Sequence, residues 1–530
     1  MTEQAELRIS ARSSPTARAR AQWRGNWLSL VTKLTIGRVL IVTLIAAAFA
    51  VATREVVETD MGWHLKTGQL IVETGHVPQN DLYSFSARGE RWIPHEWLTE
   101  VIAYLLYRAG GFGAIALAFA VVMIGPIPFV LRLLARRGVT GPGAVMLTAL
   151  GVTCASALWG ARAHVISVLF ATIFYFVLER WWARPSRLVY FLPAMMVLWV
   201  NLHGGFPIGN LLIGLYLAAA VAERLGLVVG DRRRPLRQLV IALALSMVAG
   251  GVSPHGFAAL VLPFEVLTSS IQRTYVVDWF SPNFHEMRFL PLLVLLLLPV
   301  ILVGIGSYRL ALTDALILVV FAALSLQSNR HSTYYAFLCL PAIGAAGCAA
   351  TAALRQAPLW QWLAARQSQT TQREVGGLVP VALNWLLILI VLVVLTPRIA
   401  SVMSSAANAE AQARFFPVAA VSYLRSQGFD GRLFNAHGWG GYLIWIGYPS
   451  NGVFFDSRGD LYDAVGLSPD YLRVHFGRSG WQEVLDRFAI DAVLMPPSTG
   501  AAAVLSVARS EWRQVYADDV AVIFVRQRSP

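Results

Sequence analysis

Charge is scarce in this sequence. Only 14% of its 530 residues are Asp, Glu, Lys or Arg, where soluble globular chains carry roughly 25%. Long apolar runs stand in its place: 56% of residues are hydrophobic and the mean hydropathy is +0.57. That excludes an ordinary soluble globule. Cysteine is scarce too. Cys154, Cys339 and Cys348 all lie inside apolar runs, so they read as small core hydrophobes, with no role as disulfide staples or metal ligands. There is no internal repeat, and no low-complexity tract beyond the N-terminal tail. The net charge of +13 and the pI near 10.0 would suggest nucleic acid in a soluble protein. No basic stripe interleaved with aromatics occurs, which argues against that partner.

What is present is a membrane pattern. Several apolar runs reach the length of about 18 residues that crosses a bilayer core. Arginines cluster in the short loops between them, the positive-inside signature. Residues 1–34 are polar and basic, with Arg8, Arg12, Arg18, Arg20, Arg24 and Lys33, and read as a cytoplasmic tail. The run that follows exceeds a signal-peptide core, so it is expected to be a retained first helix. Eleven spans are expected, at about 35–53, 112–134, 142–160, 164–179, 188–202, 206–223, 238–252, 289–306, 310–327, 333–353 and 379–396. They leave two long outer loops, 54–98 and 253–288. This count puts every basic cluster on the inside. It makes the chain a multi-pass protein of a cell's inner (plasma) membrane, N-terminus in and C-terminus out.

Residues 398–530 change character. Short apolar runs at Arg432–Asn435, Gly452–Asp456 and Asp491–Met495 read as buried strands. Trp481–Phe488 reads as an amphipathic helix. Val515–Tyr516 and Ala521–Arg526 read as a terminal strand pair around Asp518-Asp519. The fold class is therefore an α-helical polytopic membrane domain, 35–397, followed by a small extracytoplasmic α/β domain.

The ten histidines carry the first functional signal. His64, His76, His95, His164, His203, His255, His285, His331, His437 and His475 all fall at or beyond the outer face on this topology. Polar residues collect wherever water is, yet the equally wet cytoplasmic loops hold no histidine. An outward-facing polar cavity is the expectation. The first outer loop is its richest stretch: Glu58-Thr59-Asp60 with His64, then Gly75 to Asp81, then His95-Glu96-Trp97. Asp60 follows closely on the first span. A carboxylate beside apolar surface loses hydration and becomes a better base for an incoming hydroxyl. Its structural alternative is to cap the helix expected over Met61–Thr74. Trp97 to Leu106 has the pattern of a helix lying in the interface. At other helix ends stand Arg162 with His164, Asn201 with His203, and Arg330 with His331. Arginine is shaped to clamp a phosphate with two bonds; otherwise it anchors to headgroups by snorkelling.

The outer domain adds Asn435, His437, Trp439, Tyr442, Trp445, Asp456, Arg458, Asp460 and Tyr462. Sugars stack on aromatic faces and bond at the rim, so this cluster suits a glycan. The alternatives are that Trp439, Tyr442 and Trp445 dock on the membrane or the helical domain, and that Asp456 pairs with Arg458.

Together these residues resemble the GT-C superfamily of integral membrane glycosyltransferases. The resemblance rests on Asp60-x-x-x-His64, Gly75-His76-Val77-Pro78-Gln79-Asn80-Asp81 and His95-Glu96-Trp97-Leu98. It extends to Trp199 to Gly205, Arg330-His331, Gly438 to Tyr442 and Phe455 to Arg458. It implies transfer of a sugar from a polyprenyl-phosphate donor to a glycan, lipid or protein acceptor at the extracytoplasmic face, with inversion. It implies Asp60 as base or metal ligand, with Glu58 and His64 beside it. Arg330 is the implied phosphate contact, and His331, Arg162, His164, Asn201, His203, His95, Glu96 and Asp81 are candidate substrate contacts. Some relatives bind a divalent cation such as Mg or Mn through a pair like Glu58 and Asp60, and others need none, so metal use stays open. Two other classes compete: a transporter or flippase for a lipid-linked or anionic substrate, and a non-enzymatic scaffold or sensor. A transporter should carry broken or polar positions at mid-membrane, whereas here the ionisable groups gather at one face.

Overall fold

The computed structural model describes residues 35–527, apart from 270, 272–273, 359–360 and 362–377. The basic tail 1–34 and the arginines at 366 and 373 lie outside the described residues. Helix makes up 68% of the structure.

The helical body runs α1 (Ile36–Ala52), α2 (Met61–Thr74), α3 (Trp97–Ile124), α4 (Pro126–Arg136), α5 (Gly141–Ser156), α6 (His164–Ala183), α7 (Leu192–Leu202) and α8 (Pro207–Leu225). It continues through α9 (Leu236–Ala249), α10 (Ala258–Thr268), α11 (Leu290–Gly306), α12 (Leu312–Gln327), α13 (Asn329–Leu338), α14 (Leu340–Gln356) and α15 (Leu378–Met403). Each of the eleven expected segments falls on these helices, the second across α3 and α4 and the tenth across α13 and α14. Among the described residues, five helices are long and apolar enough to cross a membrane. The pair α13 and α14, bent by 49° between Leu338 and Leu340, makes a sixth if it is one span. The other five expected segments sit on helices of 10–17 residues. Such lengths rise less than a 30 Å core requires unless flanking residues contribute.

The helix expected from Trp97 is present and joins the second segment across a break at Gly110 and Gly111, where Gly111 takes φ +64°. Trp97 to Ala109 thereby becomes a separate arm packed on α2. The approach is so close that a Cβ at Gly68 would lie 2.1 Å from the Glu100 carbonyl oxygen. Cys154 and Cys339 are buried as expected, whereas Cys348 is exposed on α14.

At the end of the body away from the long loops, Arg137 closes the bundle. It donates to Asp314 on α12 at 2.9 and 3.0 Å and to Glu179 on α6 at 2.8 Å.

The C-terminal domain follows α15 through α16 (Ser405–Phe415) and α17 (Val418–Ser426). Its core is a four-stranded sheet, β1 (Leu433–Asn435), β2 (Ala492–Met495), β3 (Trp512–Ala517) and β4 (Val522–Arg526). The order is β1-β2-β4-β3, with β1 and β2 parallel and the other pairs antiparallel. Both β1 and β2 are buried on both faces, which is why they read as short continuous apolar runs. The intervening helices are α18 (Gly440–Ile446), α19 (Gly459–Ala464), α20 (Ser468–His475), α21 (Trp481–Arg487) and α22 (Gly500–Val507).

Gly452–Asp456 is not a strand of this sheet. Val453 instead makes an isolated parallel bridge to Ser84 of the first long loop. Its apolar run is buried, as the pattern indicated, against that loop. The domain and the loop are thus sewn together. The amide of Phe85 donates to the Val453 carbonyl at 3.0 Å, and the Val453 amide to the Tyr83 carbonyl at 3.1 Å. Trp445 docks on the helical body, edge-on to Tyr107 of α3 at 5.1 Å. Tyr442 instead stacks on Phe416, and Trp439 donates to the Phe415 carbonyl.

Candidate active site

The floor of the site is built by helix ends. Helix α2 is buried on two sides, Met61 and Leu65 in the core of the helical body and Trp63 in the core shared with the C-terminal domain. Gly75 ends it in the left-handed region at φ +72°, its amide bonded to the Ile71 carbonyl. Asp60 stands at the N-terminus of α2 but its side chain does not cap it. Thr59 Oγ1 donates to Asp60 Oδ1 at 3.0 Å instead, and Asp60 lines a cleft of about 310 Å³.

Three other helix junctions reach the same cleft. The turn between α5 and α6 supplies Arg162, the head of α3 supplies His95 and Glu96, and the head of α13 supplies Arg330. The second long loop supplies Tyr275, Asp278 and Trp279. From above, the C-terminal domain contributes His437, Ser457, Arg458 and Asp460. A smaller, mostly apolar chamber of about 150 Å³ adjoins the cleft and shares His95, Trp279 and Arg330 with it. Its walls include His203, Ile208, Leu262, Pro263, His331 and Tyr334.

Glu96 organises the histidines. His64 Nε2 lies 3.5 Å from its carboxylate, and His95 Nε2 and His203 Nε2 each lie 3.4 Å away. His64 Nδ1 meets Glu100 at 3.1 Å. His203 is neutral by its bonding: Gly205 N–H donates to its Nδ1 at 2.9 Å, so the proton sits on Nε2, facing Glu96. Ser167 Oγ lies 2.6 Å from that Nδ1 and accepts from Trp199 Nε1 at 2.7 Å. Burial pushes His203 down to about 3, against the pull of Glu96. This explains the Trp199 to Gly205 motif. A Cβ at Gly205 would lie 2.5 Å from Ser167 Oγ, so only glycine lets the turn close on the histidine.

His64 and His95 differ from His203. Burial alone would lower both, but the hydrogen bonds and charges of Glu100 and Glu96 on His64, and of Glu96 and Asp460 on His95, raise them above the ordinary imidazole value. Burial works against an ionised Glu96, yet its bond to His95 and the charges of His203, His95 and His64 hold it well below the usual carboxylate range.

The two arginines stand in different states. Arg162 donates through Nε to Glu58 and through Nη1 to Asp278. Arg330 has no carboxylate partner among the described residues; its guanidinium lies 5.3 Å over the Trp279 ring. A divalent ion at Glu58 and Asp60 would compete with Arg162 for Glu58. Among the described residues no three His, Cys, Asp or Glu side chains converge as metal ligands would. Of the pair, Glu58 is held by Arg162 and Asp60 is left lining the cleft.

Some sequence candidates lie off the cleft. Asp81 is fully buried and ion-paired to Arg458 at 2.7 Å, and it accepts from Tyr83 N, Ser84 N and Ser84 Oγ. It joins loop and domain and lines neither cavity. Arg458 also pairs with Asp456 at 2.7 Å, and Tyr462 donates to Asp456 at 2.8 Å. Asn201 is buried, accepting from Trp97 Nε1 at 2.7 Å and donating to Val252 at 2.8 Å. His164 is buried behind the cleft. His76 and His285 are exposed and line neither cavity. Residues that the sequence reading passed over are Tyr275, Asp278 and Trp279. Their signal was an acidic group between aromatics in an outer loop.

No protein-family model matches the chain, and no curated protein matches its sequence. Solved structures match its fold. The oligosaccharyltransferase of Archaeoglobus fulgidus in the apo form aligns over 92% of this chain and 74% of its own, with a TM-score of 0.52 and 13% identity. The archaeal oligosaccharyltransferase AglB from Archaeoglobus fulgidus, in complex with an inhibitory peptide and a dolichol-phosphate, aligns over the same shares with a TM-score of 0.51 and 13% identity. ArnT from Cupriavidus metallidurans in the apo state covers 96% of this chain and 98% of its own at 0.46 and 16%. Identities this low speak for fold alone.

Proposed function

We propose, from a fold shared with GT-C oligosaccharyltransferases and from the cleft it encloses, that this chain is a membrane glycosyltransferase using a polyprenyl-phosphate sugar. One observation carries the reading. An unpaired arginine stands where an apolar chamber opens into a polar cleft, with Asp60 lining that same cleft. A lipid phosphate has this duality: an apolar tail and an anionic head. AglB in its solved complex holds a dolichol-phosphate, which supports the same donor class here.

In this mechanism the lipid occupies the chamber walled by Leu262, Pro263 and Ile208, and its phosphate meets Arg330. The sugar reaches into the cleft. Asp60 takes the proton of an acceptor hydroxyl, whose oxygen bonds the anomeric carbon. The anomeric bond to phosphate oxygen breaks, and its electron pair leaves with the phosphate. A fixed guanidinium neutralises that charge without reorganising at the moment of reaction. In-line attack inverts the anomeric centre. Glu58 is not the base, because Arg162 holds it. The Glu96 cluster positions His64 and His95 around the sugar. The reaction belongs at the extracytoplasmic face of a cell's inner membrane, where the basic inner loops direct these helix ends.

Comparing lipid-linked sugars and envelope glycans from cells with and without the protein tests the reading. A glycan missing one sugar, with its polyprenyl-phosphate donor accumulating, is the expected result. Identical profiles would remove the enzyme reading.

A further inference from the structure

The C-terminal domain brings side chains into the cleft, and one of them has no structural employment. His437 follows β1 and lines the cleft. Its backbone amide is bonded to Tyr471 Oη at 2.7 Å, and Tyr275 packs edge-on to its ring at 5.3 Å. Its Nε2 is buried and has no hydrogen-bond partner among the described residues. A buried polar atom left without a partner costs about 1–3 kcal/mol, a cost that a hydroxyl bound in the cleft would relieve.

The placement is rigid. The segment after His437 seats directly on the Asp60 loop, backbone against backbone. A Cβ at Gly441 would lie 2.2 Å from the Thr59 carbonyl oxygen, and one at Gly62 would lie 2.1 Å from the Gly441 carbonyl oxygen. Trp63 Nε1 donates to Ser457 Oγ at 2.9 Å, and the Arg458–Asp81 pair locks the same joint. Glycine on both sides is what lets the two chains touch. The contact fixes His437 against the loop that carries Asp60.

We propose that His437 is a substrate-contacting residue of the cleft, its Nε2 bonding a hydroxyl of the acceptor beside the one that Asp60 deprotonates. This rests on the transferase reading and adds a substrate class to it: the acceptor is a hydroxyl-rich saccharide. The groups nearest His437 are the carboxylates of Asp60 and Asp456 and the rings of Tyr275, Phe455 and Tyr471, and Asp460 and Trp63 line the same cleft. Carboxylates accept from hydroxyls, and aromatic faces cover the apolar side of a sugar ring.

The test uses purified full-length protein, polyprenyl-phosphate sugar extracted from producing cells, and envelope glycan as acceptor. His437→Phe raises the acceptor KM by about tenfold or more, whereas His437→Gln, which keeps a polar group, recovers part of the loss. Undecaprenyl phosphate binds His437→Phe with wild-type affinity, which also reports that the variant is folded. An unchanged acceptor KM in His437→Phe, or an equal fall in undecaprenyl-phosphate affinity, would overturn the proposal. If the wild type turns over none of the extracted donor, the transferase reading fails and this one with it. An active wild type with an indifferent His437→Phe removes this proposal alone.

Discussion

Arg162 stands two residues before His164 in the turn between α5 and α6, and Arg330 stands directly before His331 at the head of α13. In sequence the two places read alike: an arginine and a histidine at a helix end on the polar face. In the structure one is neutralised and the other is not. Arg162 bridges Glu58 and Asp278, tying the first long loop to the second. Arg330 lies over the Trp279 ring, has no carboxylate partner among the described residues and faces the junction of two cavities. The lesson concerns partners. A boundary arginine becomes structural when loops distant in sequence bring carboxylates to it, and stays available for an anion when they do not.

That contrast can be broken experimentally. The largest expected effect is on turnover: Arg330→Met lowers kcat/KM for the lipid donor by about 10²-fold or more, the scale of losing a positioned charge-stabilising group, while the thermal unfolding midpoint stays put. Arg162→Met should do the reverse. It leaves Glu58 and Asp278 facing each other without a cation, so the unfolding midpoint drops by the equivalent of about 1–3 kcal/mol, and donor affinity changes less than in Arg330→Met. Equal loss of donor binding in both variants would erase the distinction.

A smaller effect sharpens the electrostatic side. Glu96 helps raise His64 and His95 above 6.5 against the lowering effect of burial. Their stabilisation is complete below that value and fades as pH rises through the raised folded values. Glu96→Gln lowers those values, so thermal stability begins to fall at a lower pH than in the wild type. Glu96 itself is depressed, so its contribution is present above 4.5 and is lost only as pH falls through its folded value. Stability against pH, followed by scanning fluorimetry, reads both limbs. Coincident alkaline limbs in the two proteins would show that Glu96 does not hold the histidines.

Much of this arrangement was legible in the sequence, because it follows from local patterns. The eleven apolar segments, the helix over Met61–Thr74 and the four strands of the C-terminal sheet come from periodicity and turn residues within short windows. So does the gathering of polar groups at helix ends on one face. The rest depends on partners far along the chain. Asp81 looked like Asp60, an acid in the same loop. Only Arg458, in another domain, turns it into a buried joint. Gly452–Asp456 has the composition of a strand, but its pairing partner is Ser84, not the sheet. Glu58 and Asp60 read alike as acids at the head of α2, and the guanidinium that holds Glu58 arrives about a hundred residues later. No local window contains such information.

The central claim is that Asp60 takes a proton from an acceptor beside a lipid phosphate held at Arg330. Its most direct test is sugar transfer by purified wild type and Asp60→Asn, with radiolabelled polyprenyl-phosphate sugar as donor. Loss of a positioned base costs about 10²–10⁴-fold, so Asp60→Asn should transfer at least a hundredfold more slowly while still binding undecaprenyl phosphate. Transfer by Asp60→Asn at the wild-type rate would contradict the account.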